Sequence, residues 1–261
     1  MSSGPSDPTE AASPSGSPIG PADEVAPVDL LVVGAHPDDA EYGMGGTLVR
    51  HHRAGYRIGV LDLTRGELGS KGTPQLRAQE ARHAAEVYGA HFRVGLDLGD
   101  NQVGHDRASV HRLATAIRAA RPRLVFTHHA EDRHPDHRAA HELVRRGVFT
   151  AALSNLDLGV EHHVVAAVLC FPTDRVVDAD VYVDVTEVWE DRLTALRRFA
   201  SQFTAPTRDI DHTLYGVDDY LATTVARARV YGQRIGATFA EAFVTDAGVA
   251  ATDLVELFEA R

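Results

Sequence analysis

The stretch Val28-Asp29-Leu30-Leu31-Val32-Val33-Gly34-Ala35-His36-Pro37-Asp38-Asp39 decides how this chain is read. Its first half is almost entirely apolar, the pattern of a strand buried on both faces of a parallel sheet. Its second half sets an imidazole and two adjacent carboxylates at the end of that strand, where they are costly to desolvate for structure alone. Such groups suit a metal site with a base beside it. A second apolar run, Leu124-Val125-Phe126-Thr127, is followed by His134-Pro135-Asp136-His137. Two such clusters, each beyond a strand, suggest one mononuclear zinc site built from both.

Working outward, short apolar runs alternate with helical periodicity. Strands are expected at 28–34, 57–63, 92–97, 123–128 and 164–170, and helices at 43–54, 74–88, 107–119 and 137–152. This alternation predicts an α/β fold: a Rossmann-like, mostly parallel sheet with helices on both faces and right-handed crossovers. Ligands of such sheets lie beyond the carboxyl ends of the strands, where both clusters fall. The run Gly43-Met44-Gly45-Gly46-Thr47 would let backbone approach a ligand or a neighbouring strand. It is not a phosphate loop, because neither Gly-Lys-Ser/Thr nor Gly-x-Gly-x-x-Gly is present. Beyond residue 171 the pattern loosens to a strand at 182–185 and helices at 186–201 and 219–235. This C-terminal region is expected to cap the sheet edge.

At 261 residues the chain can bury one large core. A net charge of −11 gives no electrostatic support for nucleic-acid binding. No run approaches a membrane span. Cys170 is the sole cysteine, so no internal disulfide or Cys-rich zinc site is possible, which fits a cytoplasmic location. Lys71 is the sole lysine, which leaves Schiff-base chemistry one poorly placed candidate. Residues 1–27 are mostly Pro, Ser, Gly and Ala, too poor in large apolar side chains to offset ordering entropy. They read as a disordered tail, with 28–261 as one domain.

The residue chemistry suggests roles. His36, Asp39 and His137 would supply three metal ligands, leaving room for water and substrate. Asp38, beside a ligand without being one, suits a general base. His134, protonated, could stabilise an oxyanion or protonate a leaving amine, with Asp136 holding that imidazole. Taken singly, a His-Pro-Asp triplet is more often a turn or helix cap; the pairing of two clusters favours a site. His141, four residues after His137, lacks the His-Glu-x-x-His pattern and reads as helix surface or an outer contact. The pair His128-His129 lies at a strand end, within reach of the site.

These residues resemble the PIG-L/LmbE-like family of zinc-dependent deacetylases: Ala-His-Pro-Asp-Asp at 35–39, Gly-Met-Gly-Gly-Thr at 43–47 and His-Pro-Asp-His at 134–137. Within that family the chain looks most like the deacetylases of bacillithiol biosynthesis, which remove acetate from N-acetylglucosaminyl malate. The supporting segments are 62–69, 76–81, 132–137, 201–203 and 231–236. The resemblance implies zinc at His36, Asp39 and His137, with Fe(II) tolerated by the same donors. It implies Asp38 as base, His134 with Asp136 as acid or oxyanion partner, and Arg65, Glu67, Arg77 and Gln202 near the substrate. It also implies a small amino-sugar substrate and a homo-oligomer. An oxyanion-stabilising tyrosine would be Tyr182, Tyr215 or Tyr220. Alternatives are an amidase of thiol S-conjugates, a deacetylase of another N-acetyl sugar, a non-catalytic sugar- or metal-binding module, or a nucleotide-binding protein; Asp38 argues against the third and the missing phosphate fingerprints against the last.

Overall fold

The computed structural model describes residues 25–203, 220–248, 250 and 252. Five strands, β1 (Leu30–Gly34), β2 (Ile58–Asp62), β3 (Phe92–Gly95), β4 (Leu124–His128) and β5 (Ala167–Phe171), form one sheet in the order β3-β2-β1-β4-β5. Every pairing in it is parallel, with Gly34 opposite Asp62 and Val32 opposite Phe126. The expected strands and sheet type are therefore present.

Alternation along β1 assigns its two faces. Leu31 and Val33 pack with Leu113 and Ile117 of α3 (Arg107–Ala120) and Leu143 and Val144 of α4 (Pro135–Ala151). Leu30 and Val32 point the other way, into a core with Met44 and Leu48 of α1 (Asp39–Arg53) and Ala84 of α2 (Pro74–Val87). Each fully buried Leu or Val contributes roughly 1.5–3 kcal/mol of transfer free energy, so a one-residue slip of β1 is strongly disfavoured.

Two boundaries differ from expectation. Val25, assigned to the tail by composition, is 8% exposed and joins the core, so the ordered chain starts before residue 28. Residues 1–24, the bulk of that tail, lie outside the described residues. Helix α1 begins at Asp39 rather than 43, which puts the glycine run inside it. The helix breaks at Met44 (φ −149°, ψ 24°). A Cβ on Gly43 would fall 2.2 Å from the Phe171 ring, and one on Gly46 would fall 2.8 Å from Val185. The glycines thus serve close packing against neighbouring elements.

The break is repaired from the C-terminal region. There β6 (Val181–Asp184) pairs antiparallel with β7 (Ala240–Phe243). Glu241 accepts hydrogen bonds from Gly46 N (2.9 Å), Thr47 N (2.6 Å) and Arg192 Nε (2.6 Å). Arg192, on α5 (Trp189–Arg197), also donates to the Tyr42 carbonyl at 2.9 Å. Donors and acceptors orphaned by the break are thereby satisfied. The region covers the β5 edge, where Cys170 and Val244 exchange backbone hydrogen bonds of 2.8 and 2.9 Å. It also covers a sheet face, because Val185, Val188, Leu193 and Phe199 join the core beneath α1.

Glu241→Ala should leave the buried Arg192 guanidinium without its counter-charge and cost about 3 kcal/mol or more. Urea unfolding measures this; a loss below about 1 kcal/mol would contradict the repair role.

Candidate active site and metal centre

Strand order reverses between β1 and β4, and the carboxyl ends at such a reversal flank a crevice. His36 follows β1 after one residue. His128 ends β4, and the loop after it delivers His134 and His137 at the start of α4. Asp38 and Asp39 lie at the N-terminus of α1.

Asp39 links the two clusters. Its Oδ2 lies 3.5 Å from His36 Nδ1 and its Oδ1 lies 3.3 Å from His137 Nε2. The His36 and His137 ring centroids are 5.4 Å apart. His36, His134 and His137 each offer a ligand atom within 4.8 Å of one another, as do Asp39, His128 and His137. Two imidazoles with a carboxylate between them, and further imidazoles beside them, form a donor set suited to a divalent transition metal. Burial alone would lower the pKa of His137, but Asp39 and Asp132 outweigh it and raise it to about 9. His36 follows the same pattern: Asp100, Asp136 and Asp39 overcome burial and hold it well above the ordinary value. Burial would raise Asp39, but His137 and His128 hold it well below the usual carboxylate range.

Asp38 occupies the N-cap position of α1, yet its carboxylate makes no cap bond. It is instead paired with Arg77, whose Nη2 donates to Oδ1 at 2.8 Å and to the Pro37 carbonyl at 3.3 Å. Burial, partly offset by Arg77, pushes the Asp38 carboxyl up to about 6. Nη1 of Arg77 donates to the Gly66 carbonyl at 3.3 Å. Gly66 has φ +61°, and a Cβ there would fall 1.8 Å from Nη1, so glycine is required.

The geometry changes the expected His134–Asp136 relationship. His134 Nδ1 accepts from the Asp136 backbone N–H at 3.2 Å, which leaves Nε2 to carry the proton. The Asp136 carboxylate lies instead 3.4 Å from His36 Nε2 and accepts from Asn101 N at 2.7 Å. Burial, followed by the charges of His137 and His36, lowers the pKa of His134. This imidazole is thus set up as a neutral donor rather than a cation.

The four residues expected near substrate spend their polar groups within the protein. Arg77 holds Asp38. Glu67 accepts from Asp100 N at 2.9 Å and from Arg65 N at 3.1 Å. Arg65 pairs with Asp97 at 2.8 Å on the surface. Gln202 donates to the Lys71 carbonyl at 2.9 Å. Of the three tyrosines, Tyr215 lies outside the described residues, as does the side chain of Tyr220. The Tyr182 hydroxyl accepts from Ala179 N at 3.3 Å in the small sheet. Two side chains not given a role from sequence, Asp100 and Asp132, also reach the site, and His128 reaches it as its place at a strand end suggested. His128 is fully buried, its Nε2 lies 3.0 Å from Asp39 Oδ2, and burial, then His137, lowers its pKa to about 4. For Asp100 the sequence signal is a carboxylate beyond a strand end, too common to stand out without a histidine beside it; Asp132 opens the segment 132–137, where its nearness to His134 gives no hint that it faces His137.

Comparison with known proteins gives these positions a context. Residues 31–148 match the PIG-L family model, described as GlcNAc-PI de-N-acetylase. A solved structure, the conserved protein TT1542 from Thermus thermophilus, is 35% identical and superposes with a TM-score of 0.78, covering 87% of this chain and 98% of that one. Diacetylchitobiose deacetylase of Thermococcus kodakarensis is 29% identical over 81% of this chain and 80% of its own length. A 4-oxalmesaconate hydratase of Pseudomonas putida is 29% identical over 66% and 73%, and "Probable N-acetyl-alpha-D-glucosaminyl L-malate deacetylase 2" of Bacillus subtilis is 24% identical over 74% and 92%. The family match over residues 31–148 and the likeness to TT1542 along nearly all of that protein show that the chain belongs to the PIG-L family; with the deacetylases among its relatives, they make it a hydrolase of the N-deacetylase class.

Proposed function

We propose that this chain is a zinc-dependent deacetylase of an N-acetylglucosaminide, with His36, Asp39 and His137 holding the metal and N-acetylglucosaminyl malate as the substrate to test first. The observation that carries the reading is Asp38: a partly buried carboxylate that caps nothing, is held by Arg77 at 2.8 Å and stands beside a paired imidazole–carboxylate donor set. Binding alone needs no such base.

Bound zinc supplies a Lewis acid that polarises the acetyl carbonyl and acidifies water. The chain supplies the rest. Asp38, steadied by Arg77, removes the proton from the attacking water and passes it to the departing glucosamine nitrogen. His134, its Nδ1 occupied by a backbone N–H, directs Nε2–H toward the oxygen on which negative charge develops. The C–N bond then breaks, releasing acetate and the free amine. Arg65 is an exposed cation beyond β2 whose pair with Asp97 is exposed on both sides. Such a pair is worth about 1 kcal/mol or less, so the carboxylate of a malate aglycone could displace Asp97.

Asp38→Asn should retain zinc while kcat falls about 10²- to 10⁴-fold. Near-normal acetate release by this variant would contradict the base assignment. His137→Ala should purify with little zinc, and full occupancy by elemental analysis would remove His137 from the ligand set. Acetate release should be compared on N-acetylglucosaminyl malate, N,N'-diacetylchitobiose, free N-acetylglucosamine and a thiol S-conjugate. Turnover of the S-conjugate alone would replace the sugar reading with an amidase.

A further inference from the structure

Both imidazoles assigned to the metal have a second nitrogen pointing away from Asp39, and each of those nitrogens meets a buried carboxylate. On His137, Nε2 faces Asp39 while Nδ1 lies 3.1 Å from Asp132 Oδ1. On His36, Nδ1 faces Asp39 while Nε2 lies 3.4 Å from both Asp100 Oδ1 and Asp136 Oδ2. We infer that Asp132 on His137, and Asp100 together with Asp136 on His36, are positioning residues that fix opposite tautomers on the two ligands, so that His137 binds metal through Nε2 and His36 through Nδ1. This deepens, and rests on, the metal assignment above.

Asp132 and Asp100 are themselves held. Asp132 is 3% exposed; Oδ1 accepts from His134 N at 2.8 Å and Oδ2 accepts from the Thr173 hydroxyl. Thr173 is fastened in turn, because its carbonyl accepts from Arg227 on α6 (Tyr220–Ile235). A chain of polar contacts thus runs from the C-terminal region to a metal ligand. Asp100 is 7% exposed; Oδ2 accepts from Leu68 N at 2.9 Å, and its own N–H donates to Glu67. The loops after β2 and β3 are thereby braced against each other, with the remaining oxygen of Asp100 turned to His36. A carboxylate fixed by the fold with an oxygen presented to a ring N–H leaves the opposite ring nitrogen as a lone-pair donor. Loss of such outer partners commonly weakens metal binding about 10- to 100-fold.

The test compares Asp132→Ala, Asp132→Asn, Asp100→Ala and Asp100→Asn with the unaltered chain. Zinc affinity is measured by competition with a chelating dye, unfolding of the chelator-treated protein by thermal melt, and ring tautomers in the zinc-loaded protein by ¹⁵N NMR. Each Ala variant should bind zinc about 10- to 100-fold more weakly with little change in the melt. Each Asn variant, which keeps an acceptor oxygen, should recover most of that loss. The NMR of the unaltered protein should show a protonated Nδ1 on His137 and a protonated Nε2 on His36. Unchanged zinc affinity in the Ala variants, equal losses in Ala and Asn, or the reverse tautomers would overturn the inference. The readouts do not involve turnover, so failure of the deacetylase reading appears separately, as a protein that binds zinc tightly yet releases no acetate.

Discussion

The parallel pairing of β1 with β4 is the constraint on which everything else depends. It sets two strand ends side by side at the point where the sheet reverses its order. One end leads into His36, Asp38 and Asp39, and the other into His134 and His137. Asp39 then reaches both imidazoles, one oxygen to each. Without that adjacency the clusters would be separate helix-start turns with no common ligand.

Concentrating so much charge in a buried crevice is costly unless each group has a partner. The structure meets that cost in layers. Asp38 has Arg77, Asp39 has two imidazoles, and the outer nitrogens of those imidazoles have carboxylates of their own. Around this lies ordinary packing, with apolar cores on both faces of the sheet and a C-terminal region that both covers β5 and repairs the broken helix α1. The polar atoms of the site are tied, like the apolar core, to elements distant in sequence.

Much of this is legible in the sequence. The apolar runs mark the strands because strands buried on both faces have no polar alternation, and the His/Asp clusters mark the crevice because carboxyl strand ends collect ligands. What stays hidden depends on contacts across the chain. The start of α1 is expected late because the His-Pro-Asp-Asp stretch before it reads as a turn carrying the site, and nothing local reveals that Glu241 and Arg192 stabilise the break. Arg77 reads as a substrate-facing residue because its partner, Asp38, lies 39 positions away. Nearness in sequence assigns Asp136 to His134, whereas the turn at the start of α4 sends its carboxylate to His36. Asp100 carries no recognisable spacing, and Asp132, though it opens the segment 132–137, shows no sign there of facing His137; only the fold brings them to the rings.

The account stands or falls on a single divalent ion shared between the two loops. Crystals of the zinc-loaded chain, with anomalous data collected at the zinc edge, test it directly. The account predicts one peak in contact with His36 Nδ1, an Asp39 oxygen and His137 Nε2. A peak that engages only one of the two loops, or no peak in the crevice at full zinc loading, would contradict it.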